Sequence, residues 1–431
     1  MKEVLKKLIL YILMLEAKIV LKRFKPKIIA ITGSVGKTTA KDAIYSALKD
    51  SLHIRKNQKS FNSEIGIPLT VLGLDTGWNS IFLWLKNILK GLLVPFSRKY
   101  PKWLVLEVGV DRPGDMDVAG KILRPDMIIY TAMGKTPVHV EYFGSPEAVW
   151  EEKKKLAKYL QPNGVLFLNT DDSKVFSLKE SVENVTISTY GMSANADTRL
   201  LENIVKYNEA GKPEGIVTSI QTKENSAEIF SKGVLGIQHS YPLTIAYTVG
   251  RALDIPSDEL VERLKQHTPP HGRMNILDGI NSTILIDDTY NASPIATEQA
   301  LKAVASLRSS GKKIAVLGDM LELGRFSIEE HQKIGELVFN LGYDLFIAVG
   351  LRFESGVKRA LEMGMPDDKV ISLKKSDEVF DFISGKFGAG DIILLKGSQG
   401  IRMERAVKSL LKDPATASEQ LIRQDSAWKD R

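Results

Sequence analysis

One stretch near the N-terminus leaves the chain few folds to choose from. Lys27-Ile-Ile-Ala-Ile-Thr32 is a short apolar run suited to a buried strand, Gly33-Ser-Val-Gly-Lys-Thr-Thr39 follows without a gap, and Thr38 to Leu48 has helical spacing. In that order, glycines let backbone N–H groups turn inward around a phosphate, and the following helix adds the positive end of its dipole. The spacing between Gly33 and Gly36 is shorter than in the commonest phosphate loop, but the physics is unchanged. Gly33, Ser34, Val35, Gly36, Lys37, Thr38 and Thr39 are therefore the expected nucleotide-binding residues, with Lys37 reaching the β- and γ-phosphates of ATP and the Thr38 hydroxyl on Mg²⁺.

Downstream the same alternation continues. Trp103 to Val108, Met127 to Thr131 and Val165 to Asn169 read as strands, with helices such as Pro146 to Leu160 between them. Strands alternating with helices indicate a mainly parallel α/β sheet. Asn195 to Ser231 reads as a β-rich excursion, His239 to Leu253 and Ser257 to Lys265 as helices, and Pro269-Pro-His-Gly272 as a linker. A second α/β pattern then runs from the strand Thr283 to Asp287 to the helix Met403 to Leu411. The expected division is an amphipathic N-terminal helix over 1–26, a central ATP-binding domain over 27–270, a Rossmann-like C-terminal domain over 271–414 and a frayed polar tail over 415–431.

Composition narrows the chemistry. At 431 residues, 43% hydrophobic and 26% charged, the chain suits two or three globular domains. It has no cysteine, which excludes disulfides, Cys-ligated zinc, iron–sulfur clusters and a thiol nucleophile, and fits a cytoplasmic setting. The net charge of +7 comes without a basic stripe interleaved with aromatics, so nucleotide phosphates or lipid headgroups suit it better than nucleic acid. The apolar run Leu8 to Leu15 is too short to span a bilayer. It reads as part of a packed helix, the functional alternative being a peripheral membrane anchor with its lysines on lipid phosphates. Trp78 to Phe96, rich in Trp, Phe, Leu and Ile, reads as a buried or interfacial helix pair broken by Gly91 and Pro95.

Three further positions invite a chemical reading. Glu107 closes a strand at the end where ligands bind in such sheets, and there it could hold Mg²⁺ or simply cap. His139 follows the third strand. Lys153-Lys-Lys155 sits on a helix, where three lysines ordinarily form a solvated face.

Taken together, these motifs resemble the Mur ligase family, in its MurF type. Ile31-Thr-Gly-Ser-Val-Gly-Lys-Thr-Thr39 is similar to the family's phosphate loop, Asn62-Ser-Glu-Ile-Gly-Ile-Pro68 to its Asn-x-x-Ile-Gly-x-Pro segment, and Leu106-Glu-Val-Gly-Val-Asp-Arg-Pro-Gly-Asp115 to its Glu-x-Gly stretch. Asn169-Thr-Asp-Asp172, His271-Gly-Arg-Met-Asn275, Asp287-Asp-Thr-Tyr-Asn-Ala-Ser-Pro294, Leu317-Gly-Asp-Met-Leu-Glu-Leu-Gly324 and Lys396-Gly-Ser-Gln-Gly-Ile-Arg-Met-Glu404 continue it.

The resemblance implies ATP-dependent joining of a cell-wall peptide precursor to D-alanyl-D-alanine or a similar amine, by a monomer. It implies two Mg²⁺ ions: one on Thr38 and Glu107, the other on His139 and a carbamylated Lys153. Lys37, His139 and Lys153 would be catalytic. Arg273 and Asn291 would bind ATP from the second lobe, and Asn62, Asp319, Lys396 and Ser398 would border the substrates.

Two departures concern the acceptor. Only about 26 residues precede the first strand, too few for the UDP-sugar domain the resemblance implies, and His239-Ser-Tyr-Pro-Leu replaces the usual asparagines after the histidine. The N-terminal helix and Trp78 to Phe96 are then expected to form a substitute platform. A folylpolyglutamate-synthetase-like ligase and a non-ligating scaffold with a phosphate loop are the alternatives.

Overall fold

The computed structural model describes residues 2–57, 65–77, 80–137, 139–383, 385–425 and 428. Two sheets organise them, one on each side of the linker near Pro269.

The first sheet is built on β1 (Lys27–Thr32), β2 (Ile54–Lys56), β3 (Trp103–Glu107), β4 (Met127–Tyr130), β5 (Val165–Asn169), β6 (Thr186–Gly191), β7 (Thr198–Tyr207), β8 (Pro213–Gln221) and β9 (Ser226–Lys232). Its order is β2-β3-β1-β4-β5-β6-β7-β8-β9. β2 to β7 are parallel, and β8 and β9 extend the edge antiparallel, so the expected β-rich excursion is a continuation of the sheet. β1 is buried at all but its first residue because it lies between β3 and β4 with helices on both faces, which is why its sequence is an unbroken apolar run.

The second sheet comprises β10 (Asn275–Asp278), β11 (Ile284–Asp288), β12 (Lys313–Gly318), β13 (Leu345–Val349), β14 (Val370–Leu373) and β15 (Ile392–Lys396), in the order β10-β11-β15-β12-β13-β14. Only β10 runs antiparallel to its neighbour. Each sheet has apolar clusters on both faces, as expected of a three-layer α/β lobe.

The helices that matter here are α1 (Lys2–Phe24), α2 (Lys37–Leu48), α3 (Gly66–Leu72) and α4 (Ile81–Leu93). Three expectations change. First, α1 is not amphipathic. Ile9, Leu13, Ala17 and Val20 are buried in the lobe's core, yet Leu8, Tyr11, Leu15 and Ile19 are exposed on its other side. Second, the apolar segment after Trp78, a residue outside those described, is a single, largely exposed helix rather than the expected buried or interfacial pair. Pro95 ends it in one 3₁₀ turn, and only Asn87 and Gly91 of α4 are buried. Third, the described part of the tail is anchored rather than frayed. Ala417 and Leu421 are buried in the second lobe, and the Arg423 guanidinium donates to the carbonyls of Thr289 and Tyr290 and to the buried Glu404. The apolar spacing of Ala417 and Leu421 is too sparse to announce a core contact, and the anchoring cation belongs to an otherwise polar run.

Glu16 of α1 faces α4 in the space above Gly91, buried and without a hydrogen-bond partner among the described residues. Burial pushes its carboxyl up to about 7. The folded chain then holds that proton to about pH 7, whereas the unfolded chain releases it near its ordinary value. Native protein therefore binds more protons in that window, and stability falls as pH rises through it. Glu16→Gln is expected to remove this dependence. Thermal melting should rise by roughly 2–4 °C at pH 8 and barely change at pH 5; an equal shift at both would contradict a titrating Glu16.

Candidate active site

The chain leaves β1 at Thr32 and turns through Gly33 (φ 135°) and Gly36 (φ 83°) into α2. A Cβ on Gly33 would lie 2.0 Å from the Thr131 hydroxyl at the end of β4, so only glycine allows the loop to seat there. The amides of Ser34 and Val35 donate to the Ala132 carbonyl, fixing the loop against the next strand. The first N–H groups of α2 have no intrahelical carbonyl to bond, which suits them to an anion.

Lys37 is folded back toward the Ser34 carbonyl at 3.4 Å, and burial lowers its ammonium pKa below the usual lysine range. Thr38 donates to a Glu107 carboxylate oxygen at 2.8 Å, and the Glu107 amide receives support from the Asn57 side chain. These two residues meet because β1 and β3 are parallel neighbours whose C-terminal ends are in register, Ile31 beside Glu107.

Lys153-Lys-Lys155 is not a uniform solvated face. Lys155 pairs with Glu152, while Lys153 is buried and donates to the Gly33 carbonyl at 2.7 Å. The buried Tyr130 hydroxyl holds the end of that helix by donating to the carbonyls of Lys153 and Lys154. Burial first, and the nearby Lys37 cation second, push the Lys153 amine well below its ordinary value. His139 stands at φ 68° just before the helical turn Val140–Phe143, and its Nδ1 lies 2.9 Å from a Glu322 oxygen in the second lobe. Asp111 is 3.9 Å from its other ring nitrogen.

The second lobe contributes the opposite wall. Its Arg273 carbonyl is bonded at 2.7 Å by His239 of the first lobe, which is buried and pushed down to about 4 by that burial. The Arg273 guanidinium stacks on the Tyr290 ring at 4.0 Å, and its buried Nε has no hydrogen-bond partner among the described residues. A buried guanidinium nitrogen left over in this way suits an anionic ligand. The cleft so enclosed has a volume of about 640 Å³, with Ser34 to Thr38, Glu107 and His139 on one side and Arg273, Asn291 and Ser398 on the other. A second cavity of about 150 Å³ shares Val35 and Gly36 with it and is lined by Asn169, Asp171, Gln238 and Tyr241.

Two expected substrate residues do not face the cleft. Asp319 accepts from the amides of Arg352 and Phe353, and Lys396 is buried in an ion pair with Asp288 at 2.6 Å. Both hold loops, because each is a strand-end charge satisfied by a neighbouring strand's turn. Asn62 lies outside the described residues, and Thr39 is buried behind the loop. Sequence reasoning missed Asp111, Tyr290, Glu322 and Trp428, all of which line the cleft. Asp111 and Glu322 stood inside quoted motifs, but nothing in the sequence pairs them with His139.

Among the described residues no cluster of three or more His, Asp or Glu could hold a metal by itself. Thr38 and Glu107 nevertheless fit magnesium, which uses one or two protein oxygens and completes its shell with water and phosphate. Lys153 does not fit a second ion as it stands, since an amine is no oxygen donor and this one is bonded to the Gly33 carbonyl; His139 has one ring nitrogen on Glu322.

The contact between His139 and Glu322 links the lobes but is partly exposed, so its contribution is small. Glu322→Gln is expected to change the KM for ATP by no more than about threefold. A loss above tenfold in steady-state kinetics would mean that Glu322 touches the ligands.

Fold and site together define an ATP-dependent, ADP-forming ligase: a phosphate loop on one α/β lobe faces an anion-binding wall on a second. The chain belongs to the Mur ligase family, since the models described as the Mur ligase middle domain and as the Mur ligase glutamate ligase domain match residues 86–248 and 272–399. It is 27% identical over 398 residues to the UDP-N-acetylmuramoyl-tripeptide–D-alanyl-D-alanine ligase of Bacillus subtilis, covering 92% of this chain and 79% of that one. The ligase of the same name from Mycobacterium leprae is 26% identical, with coverages of 90% and 74%. Among solved structures, MurF from Acinetobacter baumannii superposes with a TM-score of 0.78 at 22% identity, covering 94% of this chain and 81% of that one. MurF from Thermotoga maritima in complex with ADP gives 0.75 at 24% identity, covering 95% and 84%.

Proposed function

We propose that the protein joins the terminal carboxylate of a muramoyl-peptide precursor to D-alanyl-D-alanine or a similar amine, at the expense of ATP. The observation that carries this reading is the single cleft in which Lys37, Thr38 and Glu107 face Arg273 and Asn291 across the lobe boundary.

A carboxylate oxygen of the acceptor attacks the γ-phosphorus of ATP, ADP leaves, and an acyl phosphate forms. The amine then attacks the acyl carbon, inorganic phosphate departs with the electron pair of the broken C–O bond, and the nitrogen gives up its extra proton to water. Negative charge collects on phosphoryl oxygens in the first step, so the residues act by position and electrostatics. Lys37 and the first turn of α2 meet the phosphates from below, and Arg273 offers its unused donor from the other lobe. Thr38 and Glu107 would hold magnesium, which would add positive charge against the phosphates. The smaller cavity beside Val35 suits the nucleoside, with Asn169 and Gln238 as polar contacts.

Lys153 is the residue we assign to carbamylation. Its amine is buried and depressed in pKa, and a neutral amine is the form that adds to CO₂. The product would carry the oxygens that His139 and Lys153 now lack for a second ion. A cytoplasmic enzyme with peripheral membrane contact through α1 accords with the exposed apolar side of that helix.

Phosphate release with ATP and magnesium tests the reading, offering muramoyl tripeptide with D-alanyl-D-alanine against folate with glutamate. Stimulation by the first pair, with the ligated product seen by mass, is expected. Stimulation by the second pair alone overturns the acceptor, and stimulation by neither of them nor by other carboxylate–amine pairs overturns ligation.

A further inference from the structure

Apolar surface is unevenly spread over this molecule. Among the described residues, 13 of the 20 exposed large apolar side chains lie on α1, α4 and the 3₁₀ turn Val94–Phe96. Phe82 is 79% exposed, Leu93 67%, Leu89 65% and Tyr11 62%, values ordinary for lysine and unusual for residues of this kind in one place. The two helices touch: Glu16 of α1 fills the space above Gly91 of α4. Neither helix contributes to the cleft.

We propose that the bare sides of α1 and α4 form a two-helix platform that seats the protein on an anionic lipid surface. The platform extends the membrane contact assigned to α1 by adding α4 and the lipid chemistry, and it does not depend on the ligation reaction. Charge selects the occupant. The described exposed charges on the two helices, Lys7, Lys18, Lys22, Arg23, Lys86 and Lys90, are all basic, and Arg98 and Lys99 follow α4 directly.

On a helical wheel Phe82, Leu85, Leu89 and Leu93 of α4 share an arc bordered by Lys86 and Lys90. Apolar side chains rimmed by ammonium groups match the boundary between acyl chains and phosphate headgroups. A second copy seated face to face would instead bring the same cations together. No described helix is long and apolar enough to cross a bilayer, so the fit is to lying on the surface rather than spanning it.

The test is co-sedimentation of the full chain with vesicles of equal parts phosphatidylcholine and phosphatidylglycerol, against vesicles of phosphatidylcholine alone, with light scattering on the protein by itself. Binding to the anionic vesicles at least about tenfold tighter than to the neutral ones is expected. Lys86→Gln with Lys90→Gln should weaken it roughly 25-fold, at about fivefold per lysine. Phe82→Ser with Leu89→Ser should weaken it by about tenfold or more. Nucleotide affinity, read separately, should stay at the wild-type value in both variants and so report that they fold. The proposal is overturned if anionic vesicles capture no protein, if both double variants bind them like wild type, or if the protein is a dimer that the Phe82/Leu89 variant turns into monomer.

Discussion

Replacing Lys37 by alanine is expected to lower ADP-forming turnover by about 10³-fold, near the top of the range for loss of one preorganised charge aimed at a transition state. The side chain starts at the first residue of α2, beside a loop that glycine geometry and the Ala132 carbonyl hold fixed. Its ammonium is already desolvated, so its interaction with phosphoryl oxygens is strong and costs little reorganisation. Removing the cation does not leave a carboxylate stranded, because the Glu107 carboxylate keeps the Thr38 hydroxyl. Melting temperature should therefore stay close to wild type. Phosphate-release kinetics beside a thermal melt decide the matter: turnover within tenfold of wild type would remove Lys37 from the chemistry.

The second large effect is expected at Lys153. Lys153→Met should reduce turnover about 10²- to 10³-fold while ATP affinity changes little, since the loop glycines, Lys37 and Arg273 all remain. Stability should move the other way. Lys153 has a folded-state pKa below that of the unfolded chain, so folding releases a proton; the cost of burying the lysine is full below the folded-state pKa and shrinks as pH rises from there toward its ordinary value. Methionine fills the same volume without that cost but gives up the bond to the Gly33 carbonyl. In bicarbonate-free buffer the variant should melt no lower than wild type at pH 7, and its advantage should fade at higher pH. If ¹³C-labelled bicarbonate produces a carbamate signal in wild type and none in the variant, the assignment of Lys153 stands. An active Lys153→Met enzyme would end it, and would leave a simpler site with a single ion on Thr38 and Glu107.

How far the sequence announces this site depends on whether the partners are local. The phosphate loop is legible because its three requirements, a buried strand, glycines and a helix start, follow one another within a few residues. Glu107 is legible one step further, since a strand-end carboxylate in a parallel sheet must lie at the ligand edge. The resemblance drew out Lys153 against the plain reading of a triple lysine. Only the fold shows why: this one of the three side chains turns inward and donates to the Gly33 carbonyl. Contacts made across the lobes carry no local mark. His139 meets Glu322 through the packing of two separate sheets, and Asp319 and Lys396, which look like ligand residues in their motifs, are satisfied by neighbouring loops. α1 misleads for a different reason: its helical period predicts one apolar side, and it has two.

The strand that carries the phosphate loop lies inside the first sheet, two strands from one edge and six from the other. Opening that starts at either margin has to peel away neighbours before it reaches the root of the loop, so the amides of β1 belong to the slowest-exchanging part of the lobe. Arg273 and Asn291, in contrast, hang from a sheet with its own core. As the protein softens, its grip on the nucleotide's phosphates is built to outlast the alignment of the second wall, so ligation should fail first and nucleotide binding last.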